Sequence, residues 1–338
     1  DILGAAKQTE IISAKILELL NRPFMLAGHK YRCTASIGAT LFDGQKVTID
    51  ELIKQADIAM YQAKKAGRNT LRFFSQKMQT TINRKVALEA ELRKAVESQQ
   101  FQLYYQLQVD DLYRAIGAEA LIRWIHPERG LVSPLEFIPL AEETGLILPI
   151  GDWVLDQACG QIRAWQQNAQ TRHLVLAVNV SARQFRQKDF AERVITMLER
   201  HAIPPSLLKL ELTESMLVDS IENIIVTMNC LNEVGVQFSL DDFGTGYSSM
   251  QYLKRLPLSQ LKIDQTFVRD ITFDNSDKAI VRTIIAVAKS LNLNVIAEGV
   301  ETDEQKQALL NKSCNHMQGF LFGKPMPIEL FEASLQPG

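Results

Sequence analysis

The sequence predicts an α/β protein. Its larger part is a (β/α)8 TIM-like barrel with an antiparallel first strand, preceded by a partial α/β unit and a connector helix. Three observations predict it. From Phe101 onward, eight short strand candidates alternate with amphipathic segments, and from the third strand on their starts lie roughly 20 to 35 residues apart, the length of a strand-plus-helix unit. Eight strands over roughly 240 residues suit a closed barrel better than an open sheet. The first two strands are joined by a few residues around "DDLY", too few for a helical crossover, so they are expected to run antiparallel.

Taken in order, "QTEIISAKILELL" carries apolar residues at helical spacing. "FMLAGHKYRCTASIGATLF" reads as a β-hairpin turning near Gly28. "TIDELIKQADIAMYQAKKAG" is a helix with Thr48 as N-cap, Glu51 three positions on and Gly67 at its far end. "TLRFF" closes this unit as a short strand. The stretch from about Ser75 to Gln100 contains neither Gly nor Pro, and Met78, Ile82, Val86, Leu88, Leu92 and Val96 form an amphipathic stripe. The expected division is therefore 1–75, a connector helix at 76–100, and the barrel from 101 to 338. Barrel strands are expected at "FQLYYQLQV", "IGAEALIRW", "LVLAVNVS", "LLKLELTE", "VQFSLDD", "SQLKID", "LNVIAEG" and near "HMQGF", with helices such as "FAERVITMLERHAI" and "AIVRTIIAVAKSLNL" between them.

Composition sets broad limits. The chain is 46% hydrophobic, and its 37 Lys and Arg nearly balance 39 Asp and Glu, so nothing marks a general DNA or RNA binder. Cys33, Cys159, Cys230 and Cys314 lie far apart with no CxxC pair, and the five histidines show no metal-ligand spacing. No apolar run approaches the ~18 residues of a membrane span. Reduced thiols and a cytoplasmic location are expected. The opening "DILGAAKQTE" reads as a helix already in progress, so a longer parent protein is expected, one whose missing N-terminal regions could anchor it to a membrane.

The ends of the barrel strands carry the chemistry. The second strand holds Glu119 and Arg123, the third ends in Asn179, and the fourth in Glu211 and Glu214. Asp241 and Asp242 end the fifth, Lys262 and Asp264 the sixth, Glu298 and Glu301 follow the seventh, and Gln318 lies on the eighth. In a (β/α)8 barrel these ends converge on one mouth. So many acids destabilise one another unless cations balance them. Oxygen donors with one amide and no Cys or His suit Mg²⁺ or Mn²⁺ rather than Zn²⁺. Two adjacent aspartates can bridge two such ions, the arrangement used for phosphoryl hydrolysis. Lys262 is expected to position or deprotonate the attacking water. Taken singly, each residue has a structural alternative: Thr302 and Asp303 as helix caps, Asn179 and Ser181 as turn formers, Arg123 as the partner of a surface acid, and Gly244 with Gly246 as a plain tight loop.

These residues sit in the blocks "YYQLQV", "AEALIRW", "VNVSARQF", "ELTES", "DDFGTGYSS", "LKID", "AEGVE" and "QGFLFGKP". In that order and spacing, from about Val86 to Pro327, the sequence resembles the EAL family of cyclic-di-GMP phosphodiesterases. The resemblance implies a two-metal hydrolase that opens the cyclic dinucleotide to linear pGpG, using Mg²⁺ or Mn²⁺. Glu119, Asn179, Glu211 and Asp241 would hold one metal; Asp241 and Asp242 would serve the second, with Glu298 directly or through water. Lys262 resembles the residue that handles the water, and Glu301 and Gln318 those that support it. Glu214 resembles the acid that anchors the "DDFGTG" loop, which in the family contributes to metal binding and to dimer contacts, so a homodimer through this domain is one expectation. Arg123 would contact a phosphate, and Gln106 and Leu121 would line the ligand groove. Where the family usually has Pro after the Gln of "YYQ", this chain has Leu107, which removes no metal ligand. A non-catalytic cyclic-di-GMP receptor is the alternative; loss of metal-position acids would favour it, and none is lost.

The first part resembles the C-terminal half of a GGDEF diguanylate cyclase domain at "ASIGATLF" and "ADIAMYQAKKAGRNTLRFF". The stretch that would hold the GGDEF signature is absent, so no cyclase activity is expected of this chain.

Overall fold

The computed structural model describes residues 2–42, 47–218, 221–244 and 250–335. Two compact units divide the chain, Asp1–Ala90 and Glu91–Gly338. In the first, a helix at Ile2–Leu20 precedes strands β1 (Phe24–Leu26) and β2 (His29–Tyr31), which pair antiparallel. The expected hairpin turns at Ala27 and Gly28, both with positive φ (49° and 84°), the conformation that suits a two-residue turn between right-twisted strands. Strands β3 (Ser36–Ala39) and β4 (Thr70–Phe73) pair in parallel, with the helix Ile49–Lys65 as their crossover. Thr48 caps that helix, its side chain accepting the Glu51 N–H at 3.3 Å. The expected connector is helical from Gln76 to Glu97.

In the second unit the eight expected strands are all present: β5 (Phe101–Val109), β6 (Ala115–His126), β8 (Val175–Asn179), β9 (Leu208–Thr213), β10 (Gln237–Phe243), β11 (Gln260–Ile263), β12 (Asn294–Ala297) and β13 (His316–Gln318). A further short strand, β7 (Gly130–Val132), folds back antiparallel on the end of β6 and was not expected from the sequence. The order β5-β13-β12-β11-β10-β9-β8-β6, with β5 also paired to β6, closes the barrel. β5 runs antiparallel to both neighbours, as its short connection to β6 requires. Asp110 shapes that connection: its Oδ1 accepts the N–H groups of Leu112 (2.9 Å) and Arg114 (2.8 Å), while Oδ2 pairs with Arg114 Nε at 2.6 Å.

The strands alternate, yet both faces are buried. On β9, Leu208, Leu210 and Leu212 alternate with Lys209 and Glu211, and every one of these side chains is buried. Lys209 reaches Gln260 of β11 across the intervening β10, so the polar set faces the barrel interior and the leucines face the surrounding helices. Ser239 on β10, and Gln260 and Lys262 on β11, repeat the pattern. The barrel interior is thus polar along β9, β10 and β11, with Ala177 of β8 and Ile296 of β12 in register on the same face, unlike the branched aliphatic layers common in this architecture.

Backbone contacts set the height of the last strand. Val300 N donates to Gln318 O at 3.1 Å and Leu321 N donates to Val300 O at 3.0 Å, clasping the segment around Gly319. A Cβ on Gly319 would fall 2.1 Å from Val300 O. Gly319→Ala is therefore expected to destabilise the barrel by about 1–3 kcal/mol, the usual cost of overpacking. A urea unfolding midpoint equal to that of the parent would contradict this.

Candidate active site

Lys262 stands at the centre of the barrel mouth with its side chain fully buried. Its Nζ lies 2.5 Å from Glu211 Oε2, 3.2 Å from Asp241 Oδ2 and 3.6 Å from Glu119 Oε2, and forms a close ion pair with Glu298 Oε1. Five strands or strand ends, β6, β9, β10, β11 and β12, deliver these groups to one point. Amides complete the arrangement: Asn179 Nδ2 donates to Glu119 Oε1 at 2.6 Å and Gln318 Nε2 to Glu119 Oε2 at 2.7 Å. Gln318 also donates to Gln106 Oε1 at 3.0 Å and accepts from Gln108 at 2.9 Å, and Gln106 Nε2 donates to Gly323 O at 3.2 Å. Glu119 is thereby fixed through both oxygens before any ligand is considered.

The end of β10 departs from regular pairing. The register with β11 shifts between Leu240 and Phe243, and Asp242 takes a positive φ of 55°, unusual for a residue with a side chain. Two contacts hold this bulge. Asp241 Oδ1 accepts the Asp242 N–H at 2.8 Å, and Glu214 Oε2 accepts the Gly244 N–H at 3.0 Å. The bulge breaks the alternation that would turn consecutive aspartates to opposite faces, and Asp242 lies close enough to Asp241 and Asp264 for their charges to act on it. The rest of the glycine-rich turn, including Gly246, lies outside the described residues.

Electrostatics follow from burial and crowding. Burial opposes a charge on Lys262, but Glu119, Glu211, Glu298 and Asp241 outweigh it and hold the ammonium well above its usual value. Burial also pushes Glu119 up, yet Lys262 and the Gln318 and Asn179 amides pull it below its ordinary value. Glu211 is held well above the carboxylate range by burial and by the charges of Glu119, Asp241 and Glu298, against the attraction of Lys262. Glu298 is pushed up to about 8, chiefly by burial, and Asp242 to about 6, by burial and then by Asp241 and Asp264.

The donor set fits a hard divalent cation. Glu211 Oε1 is buried with no hydrogen-bond partner among the described residues, and Asn179, donating through its nitrogen, keeps its carbonyl oxygen for another role. Among the described residues, no three His, Cys, Asp or Glu side chains already form a metal cage. The acids converge instead on the Lys262 ammonium.

Other expected residues lie around this cluster. Leu121 and Arg123 line a cavity of about 520 Å³ beside Asn179, with Leu135, Ile138 and Met216 on its other walls. Arg123 stacks over the Tyr104 ring, 5.4 Å from its centre, and donates to its neighbour Ile122 O at 2.9 Å, so its partner is not a surface acid. Glu301 stands apart, its side chain exposed while its N–H donates to Gln305 Oε1 at 2.7 Å. Thr302 and Ser181 each cap the helix that follows with a reciprocal capping box. Gln108, Lys209, Ser239 and Gln260 belong to the buried polar interior and were not singled out from the sequence, although Lys209 shares the strand face of Glu211, and Gln260 that of Lys262.

Comparison with known proteins agrees with this geometry. Residues 89–325 match the EAL domain model, and residues 3–70 match the diguanylate cyclase GGDEF domain model. The chain is 44% identical over 325 residues to the bifunctional diguanylate cyclase/cyclic di-GMP phosphodiesterase MucR of Pseudomonas aeruginosa, covering 96% of this chain and 47% of that protein. It is 38% identical over 323 residues to the cyclic di-GMP phosphodiesterase PdeR of Escherichia coli, covering 96% of this chain and 49% of that one. The chain thus spans about half the length of these curated relatives. Among solved structures, the PaMucR phosphodiesterase in complex with c-di-GMP superposes with a TM-score of 0.70 at 47% identity, over 72% of this chain and 99% of that one. The EAL enzyme Bd1971, with cAMP and cyclic-di-GMP bound, gives 0.73 at 32% identity, over 86% of this chain and 77% of that one.

The raised acids make the metal-free fold sensitive to alkali. Glu298 titrates near 4.5 when unfolded and about 8 when folded, so the folded state binds the extra proton between those values. The stability due to this group is complete below 4.5 and is lost as pH rises through about 8. In the presence of a chelator, the melting temperature should fall from pH 6 to pH 8.5, and Glu298→Gln should flatten that slope. A slope unchanged by the substitution would refute the assignment.

Proposed function

This chain belongs to the EAL domain family, and on that premise we propose that it hydrolyses cyclic-di-GMP to linear pGpG with two divalent cations, Mg²⁺ or Mn²⁺. The observation that carries the reading is the convergence of Glu119, Asn179, Glu211, Asp241 and Glu298 around Lys262. Glu119, Asn179, Glu211 and Asp241 would hold one cation; Asp241, Asp242 and Glu298 would serve the second. When bound, the cations neutralise the phosphodiester oxygens, lower the pKa of water and stabilise the leaving 3′-oxygen.

The chain's own residues do the rest. Lys262, fixed by its acid neighbours, orients the attacking water toward phosphorus. The water oxygen forms the new P–O bond and keeps one hydrogen, the P–O3′ bond breaks, and the other water proton passes through solvent to the 3′-oxygen, which leaves as a hydroxyl. Gln318 keeps Glu119 oriented through its 2.7 Å hydrogen bond, and Gln106 supports Gln318 from the other side. Glu214 holds the β10 bulge and so the two aspartates. Arg123 supplies a phosphate contact, and the cavity it shares with Leu121 is apolar enough for a purine base. Glu301 supports the water shell only if its exposed side chain turns inward on ligand binding.

The same reading assigns residues 1–75 to a GGDEF-like fragment, 76–100 to a connector and 101–338 to the hydrolase domain. It places the protein in the cytoplasm and pairs two copies through the hydrolase domain. No helix among the described residues is long and apolar enough to cross a membrane.

Purified protein incubated with cyclic-di-GMP and Mn²⁺ or Mg²⁺ is expected to release pGpG, detected by liquid chromatography. Glu119→Gln should cut turnover at least about 100-fold, since even outer-shell changes at metal sites cost 10–100-fold, while circular dichroism stays that of the parent. Binding without product over hours would replace the enzyme with a receptor.

Lys262→Ala tests a second consequence. The sequence alone suggests a variant that keeps its metals and loses rate. The structure adds that removing this ammonium strands four buried or half-buried acids, so the metal-free fold should also lose about 3–5 kcal/mol. Unchanged stability in chelator would contradict the central role of Lys262.

A further inference from the structure

Beneath the carboxylate cluster the barrel buries a second ammonium. Lys209 is 7% exposed, and its Nζ donates to Gln260 Oε1 at 3.0 Å; Ser239 Oγ donates to the same oxygen at 3.3 Å. None of the ion pairs among the described residues involves Lys209. A buried cation with only a neutral amide to receive it is disfavoured unless a nearby charge compensates. That charge is close. Lys209 and Glu211 are alternate residues of β9, facing the same way roughly 6 to 7 Å apart along the strand. The acids Glu119, Glu211, Asp241 and Glu298 meet one ammonium by direct contact at Lys262, so the cluster above Lys209 holds more acids than cations.

We propose that Lys209 is a positioning residue for cation capture: held by Gln260 beneath Glu211, its charge keeps the acid cluster assembled before a divalent cation arrives and limits how tightly that cation is then held. The inference rests on the reading that the cluster binds divalent cations. A positive charge under Glu211 offsets part of the repulsion among the acids, and the same charge repels an incoming cation of charge two. Lys209 lies one layer below the acids, with its ammonium on Gln260, and it acts through Glu211. The carboxamide of Gln260 keeps the ammonium from rising into the cluster, where Lys262 already sits.

The test uses the full chain at pH 7 with Mn²⁺ as the probe, reading melting temperature in chelator and in saturating Mn²⁺, and the Mn²⁺ dissociation constant by calorimetry. Lys209→Met removes the charge; Lys209→Gln removes it while keeping a hydrogen-bond donor toward Gln260. Both should melt lower than the parent in chelator, recover more on adding Mn²⁺, and bind Mn²⁺ at least about tenfold more tightly, the effect of one unit charge on a divalent ion at this range even with screening close to that of water. Equal losses of melting temperature with and without Mn²⁺, at an unchanged dissociation constant, would reduce Lys209 to a packing residue and overturn the proposal. If Lys209→Met fails to fold under both conditions, Lys209→Gln decides. A parent protein indifferent to Mn²⁺ would overturn the cation reading itself and this inference with it; a responsive parent whose variants respond identically would overturn this inference alone.

Discussion

The interaction on which the molecule depends is the enclosure of one lysine ammonium by four acids at the mouth of a barrel. Lys262 is wholly buried, and no hydrophobic gain compensates the transfer of its charge from water. Glu211, Asp241, Glu298 and Glu119 provide the compensation, and each is delivered by a different strand or strand end. The requirement is mutual. Without the ammonium the acids repel one another, and without the acids the ammonium would be neutral. A site built this way is assembled before its ligand arrives, and burial and crowding hold two of its acids, Glu211 and Glu298, above their ordinary range.

Much of the remaining structure serves that enclosure. The closed order of eight strands brings Glu119 on β6 and Gln318 on β13 to within a hydrogen bond, although 199 residues separate them. The β10 bulge, held by Glu214 through Gly244, interrupts the alternation that a regular strand would impose on Asp241 and Asp242. The glutamine chain from Gln108 through Gln318 to Glu119 fixes the carboxylate without adding charge. The polar interior beneath, with Lys209, Ser239 and Gln260, carries the electrostatics one layer deeper than the reacting groups.

Most of the eight strands were legible as short apolar or alternating runs set off by helical periods, and the antiparallel β5 because its link to β6 is too short for anything else. Most of the acids were legible because a barrel places its strand ends together. What alternation conceals is direction. In an open sheet, a strand such as "LKLELT" would turn Lys209 and Glu211 to solvent; in a closed barrel they face a buried lumen, and nothing local to the strand distinguishes the two cases. The same ambiguity hid Gln108 and Gln260. The fourfold contact of Lys262 depends on strand register and stagger, which spacing does not encode. The exposure of Glu301 depends on the course of a loop only three residues beyond Glu298, and β7 is too short to leave a periodic signal.

The most direct measurement is the location of bound manganese by anomalous diffraction from crystals soaked in Mn²⁺. The account predicts two peaks a few ångströms apart, one against Glu119, Asn179, Glu211 and Asp241 and the other against Asp241, Asp242 and Glu298. Manganese bound elsewhere, with all four acids still closed on Lys262, would contradict it.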